Sequence, residues 1–435
     1  MLCSQLLQLD YSQWLPLKKI KTKQLQQLNL LLSYIKKESP FYKDRIASLS
    51  YPITEEQFQK IPLLTREELQ EYYLTISCSP PKDHLPISIL QSSGSTGQIV
   101  KVQRTALTQL MWLSCTMRDH LWHHRDFSQT LACIRGYSSP TSSENENWSL
   151  PASLLFETGI MYKKSILTNI EEQAIWLLEC NPHYLLTYPT NLVGLLDQFE
   201  KLSFPSNLVE IRTIGETVTD ELRVRCQKIG LKLTDNYSSQ ETGIIALECP
   251  LGGLYHVQSE HLLVELLDEH NNPCKEGQVG KVVITDLHNF ATPLIRYDIQ
   301  DYAIVGGPCP CGRGLPTLSK IAGRRRNMIR LPDGQKRWPS IALVFNTLRE
   351  FEIKQYQLIQ RDKFSIEVNL VTTAEINSKQ QMKITHELQA ALGYPFSLTF
   401  NYSKELMKNQ NGKFEEFIYL PDLETAVQAT PLPEN

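Results

Sequence analysis

Strand-like and helix-like runs alternate through the middle of this chain of 435 residues. Apolar runs at 130–134, 184–187 and 209–214 predict strands, and the runs at 171–178 and 219–229 predict helices. Strands that alternate with helices pair in parallel, because each crossing connection returns the chain to the same end of the sheet. The pattern therefore predicts an α/β fold with largely parallel sheets covered by helices.

The pattern changes towards the C-terminus, where strands are joined by short turns. Residues 261–267 and 280–285 flank a turn-rich connection and predict an antiparallel hairpin. A second strand pair is predicted at 355–360 and 365–370, and a helix over 378–392 follows it. These elements indicate a smaller α+β region after the helix-covered sheets.

The length of the chain exceeds what one hydrophobic core usually serves, which predicts one large and one smaller domain. We place the boundary at about Arg326, between an N-terminal domain over 1–325 and a C-terminal domain over 326–435.

Composition argues against partners that bind by charge or by long apolar segments. The formal net charge is −3, which gives no general attraction to nucleic acid or anionic lipid. Neither a secretory signal nor an apolar run of about 20 residues is evident, so no membrane partner is expected. Ten cysteines spread over the chain do not resemble a disulfide framework. The predicted location is the cytoplasm.

A short run of hydroxyls and glycines at 92–97, Ser-Ser-Gly-Ser-Thr-Gly, follows an apolar strand-like stretch. The backbone N–H groups of such a loop can close around a phosphate. The spacing does not satisfy the Walker pattern, and taken alone the run is more typical of a surface turn than of a phosphate loop.

Other motifs recur with this loop in a set order. They are the segments 235–243, 295–301, 323–329 and 412–414. Together they resemble the core motifs of the adenylate-forming superfamily, which contains acyl-CoA synthetases, peptide-synthetase adenylation domains and luciferases. The closest resemblance is to the phenylacetate–CoA ligase branch, which includes CapK-like proteins. It extends over almost the whole chain and implies a mobile C-terminal lid domain with a hinge near Arg326.

The resemblance implies an enzyme that uses ATP and Mg²⁺ to join a small-molecule carboxylic acid to AMP, and then passes the acyl group to coenzyme A. Two alternatives stay open. One is transfer to a carrier-protein thiol or to an amine. The other is a nucleotide-binding relative without catalysis. The identity of the acid is not predicted, and a homodimer is compatible with the sequence.

The resemblance also implies which residues bind the nucleotide. Tyr237 would stack on adenine, Asp301 would accept both ribose hydroxyls, and Arg324 would support the ribose and phosphates. The full set is Ser93, Gly94, Ser95, Thr96, Gly97, Gly215, Glu216, Asn236, Tyr237, Gln240, Asp301 and Arg324.

Three residues are implied to act in catalysis: Glu241 as the Mg²⁺ ligand, Arg324, and Lys413, which would reach the α-phosphate. The chain departs from the usual motifs at four positions. Val100 stands where many members have lysine, Ser238 and Gln300 stand where glycine is usual, and Gln240 replaces a Thr or Ser. The departures at Ser238, Gln240 and Gln300 motivate the alternative without catalysis.

A separate group of three thiols and one imidazole has the composition of a tetrahedral structural zinc site: Cys249, His256, Cys309 and Cys311. Spacing alone leaves open both a zinc site and four unrelated reduced residues. Some members of the resembling branch look similar here, which favours zinc.

Overall fold

The computed structural model describes residues 1–92, 100–137, 142–324, 328–337, 348, 350–372, 376–403, 406 and 417–420. The chain divides into two compact units, a large one over 1–322 and a small one over 323–435.

Several helices begin at side-chain caps. Thr54, Thr65, Thr105 and Asn377 each start a helix with a capping box, in which the cap side chain and the third helical residue exchange hydrogen bonds. The helices are α1 (Leu2–Ser12), α2 (Leu17–Glu38), α3 (Pro40–Arg45), α4 (Glu55–Gln59), α5 (Arg66–Glu71), α6 (Tyr73–Ile76), α7 (Ala106–Trp122), α8 (Ile170–Cys180), α9 (Pro189–Phe199), α10 (Asp220–Lys228) and α11 (Ser378–Leu392).

The strands include those predicted from the apolar runs at 130–134, 184–187 and 209–214. They are β1 (Ile87–Ser92), β2 (Val100–Thr105), β3 (Leu131–Arg135), β4 (Ser143–Asn145), β5 (Met161–Ser165), β6 (Tyr184–Thr187), β7 (Glu210–Ile214), β8 (Lys232–Ser239), β9 (Gly243–Glu248), β10 (Tyr255–Val257), β11 (Leu262–Leu267), β12 (Val279–Asp286), β13 (Tyr297–Val305), β14 (Thr317–Arg324), β15 (Ile329–Arg330), β16 (Lys336–Arg337), β17 (Ile353–Gln360), β18 (Ser365–Thr372), β19 (Ser397–Ser403) and β20 (Phe417–Tyr419).

One large sheet organises the first unit. Within the described residues its order is β11-β12-β13-β14-β10-β9-β8-β7-β6-β3-β5-β4. The run β5-β3-β6-β7-β8 is parallel, and β8 pairs antiparallel with β9. The predicted α/β class is confirmed, and the parallel part ends at β8 because a short turn joins it to the next strand.

Apolar side chains attach helices to the parallel strands. Strand residues Ala132, Leu185 and Ile211 are fully buried in one cluster with residues of α8, α9 and α10, such as Leu177 and Leu192. Full burial of a leucine or isoleucine side chain contributes about 1.5–3 kcal/mol, so this face holds the helices firmly on the sheet.

The predicted antiparallel hairpin is confirmed as β11 and β12, with Leu262 opposite Asp286 and Leu267 opposite Lys281. The segments of the small unit are also confirmed. β17 and β18 pair antiparallel, and α11 connects β18 to the parallel strand β19. α11 ends at Gly393, whose φ of 67° lies in the left-handed region that glycine adopts without strain.

Candidate nucleotide site and metal centre

The carboxyl ends of β6, β7 and β8 lie side by side, because neighbouring parallel strands end at the same edge of a sheet. Glu216 follows β7, and its Oε2 accepts hydrogen bonds from the backbone N–H of Thr190 at 3.0 Å and from its hydroxyl at 2.7 Å. Gly215 has a φ of 76°, which explains a glycine there. Ile214 pairs with Asn236. The structure thus brings together the segments that carry Gly215, Glu216 and Asn236.

Tyr237 and Asp301 meet directly, although 64 positions separate them in the chain. The Tyr237 hydroxyl donates a hydrogen bond to Asp301 Oδ2 at 2.9 Å. Tyr237 is 7% exposed and packs with Ile245 and Val257, whereas Asp301 is only partly buried. Two residues that the resemblance assigns to adenine and ribose therefore form one hydrogen-bonded pair.

The residue before Asp301 has an unusual backbone. Gln300 has a φ of 67°, and its N–H donates to Asp298 Oδ1 at 2.8 Å. The left-handed region costs a residue with a side chain about 1–2 kcal/mol, which is the reason for glycine in the usual motif. The structure keeps the glycine-like conformation despite the glutamine.

Gln300→Gly is therefore expected to raise the free energy of unfolding by about 0.5–1 kcal/mol, because the relief of strain exceeds the added chain entropy. Denaturant unfolding followed by circular dichroism measures it. Gln91→Gly, at an exposed position of β1, is the matched control and should lower stability by a similar amount. Destabilisation by both variants would show that the Gln300 conformation is not strained.

Glu241 lies in the turn between β8 and β9, within ion-pair distance of an arginine. Its Oε1 is 3.3 Å from Nη1 of Arg66, the first residue of α5, and the two side chains are 10% and 18% exposed. The carbonyl of Gln240 accepts a hydrogen bond from Arg104 Nη2 at 3.2 Å. Sequence reasoning missed both arginines, because a single arginine in a helix or strand is typical of a surface residue.

Asn236 belongs to a buried polar network that the sequence also did not reveal. In the orientation that satisfies its amide, its nitrogen donates to Asp119 Oδ1 at 3.2 Å and its oxygen accepts from Arg212 Nε at 2.8 Å. Arg125 bridges Asp119 and Glu210 at 2.7 and 2.6 Å. Burial opposes ionisation, yet Arg125 and Arg212 hold the pKa of Asp119 far below its ordinary value. The Asn236 side chain, 4% exposed, is thus committed to protein partners.

A second cluster holds β8 next to Asn236. Asp235 accepts hydrogen bonds from Thr213 at 2.8 Å and from the Tyr255 hydroxyl at 3.0 Å. Glu248 accepts from the Asp235 N–H at 2.8 Å and pairs with Arg223. Burial raises the pKa of Asp235 to about 6 and that of Glu248 to about 7. These contacts fix the strand that leads to Tyr237 and Glu241.

Several predicted site residues lie outside the described residues. They are Ser93, Gly94, Ser95, Thr96 and Gly97 of the loop, Arg326 at the predicted hinge, and Lys413. Arg324 is the last residue of β14, and its backbone is described.

The four predicted zinc ligands come together. Cys249 lies in the turn between β9 and β10, His256 on β10, and Cys309 and Cys311 in the connection from β13 to β14. The segments meet because β10 pairs with both β9 and β14. The four ligand atoms lie within 4.8 Å of one another, with Cys309 Sγ 3.5 Å from Cys249 Sγ and Cys311 Sγ 3.3 Å from His256 Nε2.

The chemistry of these donors fits zinc. Burial lowers the pKa of His256 to about 4, so the imidazole is neutral and can ligate at neutral pH. Burial opposes ionisation of Cys311, but hydrogen bonds from Arg313 help to lower the pKa of its thiol. Tetrahedral zinc with sulfur at about 2.3 Å sets its ligand atoms about 3.5–3.8 Å apart. The Cys309–Cys249 distance of 3.5 Å matches this spacing, and the Cys311–His256 distance of 3.3 Å is near it. Four protein donors leave no open position, which is typical of a structural site.

No helix of the described residues combines the length and apolar character needed to cross a bilayer.

Comparison with known proteins identifies relatives over most of the chain. A family model, the CapK C-terminal domain, matches residues 340–419. The chain is 24% identical over 333 residues to the phenylacetate-coenzyme A ligase of Thermus thermophilus, covering 72% of each chain. It is 22% identical over 387 residues to the phenylacetate-coenzyme A ligase of Escherichia coli, covering 84% of this chain and 86% of that ligase.

Solved structures show the same fold. A 2-hydroxyisobutyryl-CoA ligase, in the postadenylation state with an acyl-AMP, matches with a TM-score of 0.74 at 15% identity, over 95% of this chain and 92% of that chain. The same ligase with 2-HIB-AMP and CoA, in the thioesterification state, matches with a TM-score of 0.61 at 15% identity, over 96% and 94%. The predicted resemblance is confirmed, in sequence by the phenylacetate-coenzyme A ligases and in fold by an acyl-CoA ligase.

Proposed function

We propose that this chain, a homologue of phenylacetate–coenzyme A ligases, is an AMP-forming ligase that activates a small carboxylic acid and transfers its acyl group to coenzyme A. The observation that carries the proposal is the Tyr237–Asp301 pair at 2.9 Å, which joins two motifs where this fold would bind a nucleotide. The 2-hydroxyisobutyryl-CoA ligase that shares this fold holds an acyl-AMP in its structures, and in two of them CoA as well.

Several of the described residues would take the following roles. Asp301 offers two carboxylate oxygens, so it can accept both ribose hydroxyls while Tyr237 orients it. Gly215 and Glu216 would border the nucleotide through the loop that Thr190 supports. The Asn236 side chain is hydrogen-bonded to Asp119 and Arg212, so Asn236 would contact the nucleotide only through its backbone.

The reaction is an attack of the acid's carboxylate oxygen on the α-phosphorus of ATP. A bond forms between that oxygen and phosphorus, and the bond to pyrophosphate breaks with its electrons leaving on the pyrophosphate. Glu241 would hold Mg²⁺, which supplies charge stabilisation for the phosphates when bound. Lys413 would add positive charge at the α-phosphate during this step. In the second step a thiol displaces AMP from the acyl carbon.

The test is ATP-dependent pyrophosphate release over a panel of aryl acids, short hydroxy acids and amino acids. Omission of acid is the control. We expect release with one class of acid only, and consumption of coenzyme A in the same reaction. Release that requires a phosphopantetheinylated carrier protein or an amine in place of coenzyme A would overturn the assigned acceptor. ATP binding without release for any acid would favour a nucleotide-binding relative without catalysis.

We also propose that Cys249, His256, Cys309 and Cys311 bind one structural zinc ion. The proposal rests on four convergent donors, contributed by β10, by the turn between β9 and β10 and by the connection from β13 to β14, which meet because β10 pairs with both β9 and β14. An ion there would tie the β9–β10 turn to the connection between β13 and β14, and so support the strand that carries Asp301. Its role is stability, because the donor set leaves no position for substrate.

Removing the metal is expected to lower the melting temperature by about 5–10 °C, since a structural ion stabilises the folded state by several kcal/mol. Differential scanning fluorimetry with and without a chelator measures it, together with metal analysis of the purified protein. Cys309→Ser should reproduce the loss, and Cys274→Ser, a cysteine outside the cluster, should not. Protein without zinc that melts at the same temperature with chelator would contradict the proposal.

A further inference from the structure

An arginine on β2, a strand of a separate two-stranded sheet, contacts the turn that carries Glu241. Arg104 on β2 donates from Nη2 to the carbonyl of Gln240 at 3.2 Å and from Nη1 to Gln109 Oε1 at 3.2 Å. Its guanidinium carbon lies 3.9 Å from the ring centroid of Trp112, a residue of α7. The guanidinium is therefore fixed by a stacking contact and by two hydrogen bonds in different directions.

Trp112 also contacts the other end of the turn between β8 and β9 directly. Gly243, the first residue of β9, has a φ of 83°, and a Cβ placed there would lie 3.2 Å from Trp112 Cε3. The turn is closed from within by Ser239, whose Oγ accepts from the Thr242 N–H at 3.1 Å. The two ends of the turn, at Gln240 and Gly243, thus both rest on the Arg104–Trp112 pair.

A lysine could not make all of the contacts that this arginine makes. The planar guanidinium can stack on an indole and donate from two nitrogens at once, whereas an ammonium is a single point charge that stacks poorly. Burial lowers the pKa of Arg104 to about 10, so the group stays cationic at neutral pH. Its hydrogen bond to the Gln240 carbonyl is charge-assisted and stronger than one between neutral groups.

We propose that Arg104 is a positioning residue, which holds the Gln240–Glu241 turn in the geometry that a divalent cation needs when it binds with nucleotide. This inference rests on the proposed function, in which Glu241 is the cation ligand. Arg104 acts through the turn: its hydrogen bond goes to a backbone carbonyl, and the carboxylate itself pairs with Arg66. Loss of Arg104 should therefore change the Mg²⁺ dependence of ATP binding more than the free energy of unfolding.

The experiment measures ATP binding by calorimetry at a series of Mg²⁺ concentrations, with AMP binding in parallel. In Arg104→Gln we expect the Mg²⁺ concentration for half-maximal ATP binding to rise about tenfold, as for the loss of one charge-assisted hydrogen bond. Arg104→Lys should recover only part of this. AMP binding, which does not need the cation, should stay within about twofold. Lys101→Gln is the matched control, because Lys101 is an exposed cation on the same strand, and it should behave as the unchanged protein.

Unchanged Mg²⁺ dependence in Arg104→Gln would overturn the inference. So would an equal loss of ATP and AMP binding with a lower melting temperature, because that result describes a structural residue. Because the experiment measures ATP binding and not adenylate formation, it tests the role of Arg104 separately from the proposed ligase activity. A protein that binds ATP with Mg²⁺ and forms no adenylate refutes the ligase alone, while the variants still report on Arg104. A protein that binds no ATP refutes both.

Discussion

Asp301→Ala is expected to lower kcat/KM for ATP by roughly 10²–10⁴-fold, since the variant loses two hydrogen bonds from ribose hydroxyls to a charged acceptor. The fold should remain, because Asp301 is only partly buried. Pyrophosphate release at varied ATP concentration measures the effect, and circular dichroism checks the fold.

Tyr237→Phe is the matched control for this change. It removes the same hydrogen bond between the two side chains but keeps the Asp301 carboxylate and an aromatic ring. We expect a loss of no more than about tenfold, as for one hydrogen bond. Equal losses in the two variants would mean that the pair is structural and that Asp301 does not bind the ribose.

Lys413→Ala is expected to lower the rate of adenylate formation by roughly 10²–10³-fold, because a positioned cation stabilises charge that develops on the phosphate in the transition state. The same variant should transfer a presynthesised acyl group from acyl-AMP to coenzyme A within about threefold of the unchanged rate, if the lid domain withdraws the lysine between the steps. The two half-reactions are measured separately, the first by pyrophosphate release and the second by thioester formation.

Lys408→Ala provides the control for charge, since it removes a lysine five positions upstream of Lys413 in the same segment. It should leave both half-reactions unchanged. Equal impairment of both steps by Lys413→Ala would show that the residue is structural, or that the small domain does not move between the two reactions.

Strands and helices whose residues form a local apolar pattern could be predicted from the sequence. Apolar runs separated by turn residues identified the hairpin of β11 and β12, and a helix-like stretch of sequence identified α11. The extension of one sheet from the parallel strands into antiparallel ones was not predicted. It depends on pairings such as that of β10 with β14, about 60 residues apart, which no local periodicity records.

The candidate site also contains some residues that the sequence could predict and others that it could not. Cys249, His256, Cys309 and Cys311 could be proposed as a group because their residue types are rare and chemically specific. Arg66, Arg104 and Asp119 could not, because a charged residue in a helix or strand usually faces solvent. Only the folded chain shows that Asp119 is buried beside Arg125, and that Arg104 reaches the Gln240 carbonyl. The predicted nucleotide, Mg²⁺ and lysine contacts, the homodimer and the cytoplasmic location stay predictions.

The most direct measurement of the proposed function is mass spectrometry of a reaction that contains the protein, ATP, Mg²⁺ and an acid of the responsive class, sampled before and after coenzyme A is added. We expect an acyl-AMP in the first sample and its conversion to acyl-CoA and AMP in the second. Asp301→Ala should form both products at least about 100-fold more slowly. ATP that stays intact in the presence of every acid class, although the protein binds it, would contradict the proposed ligase activity.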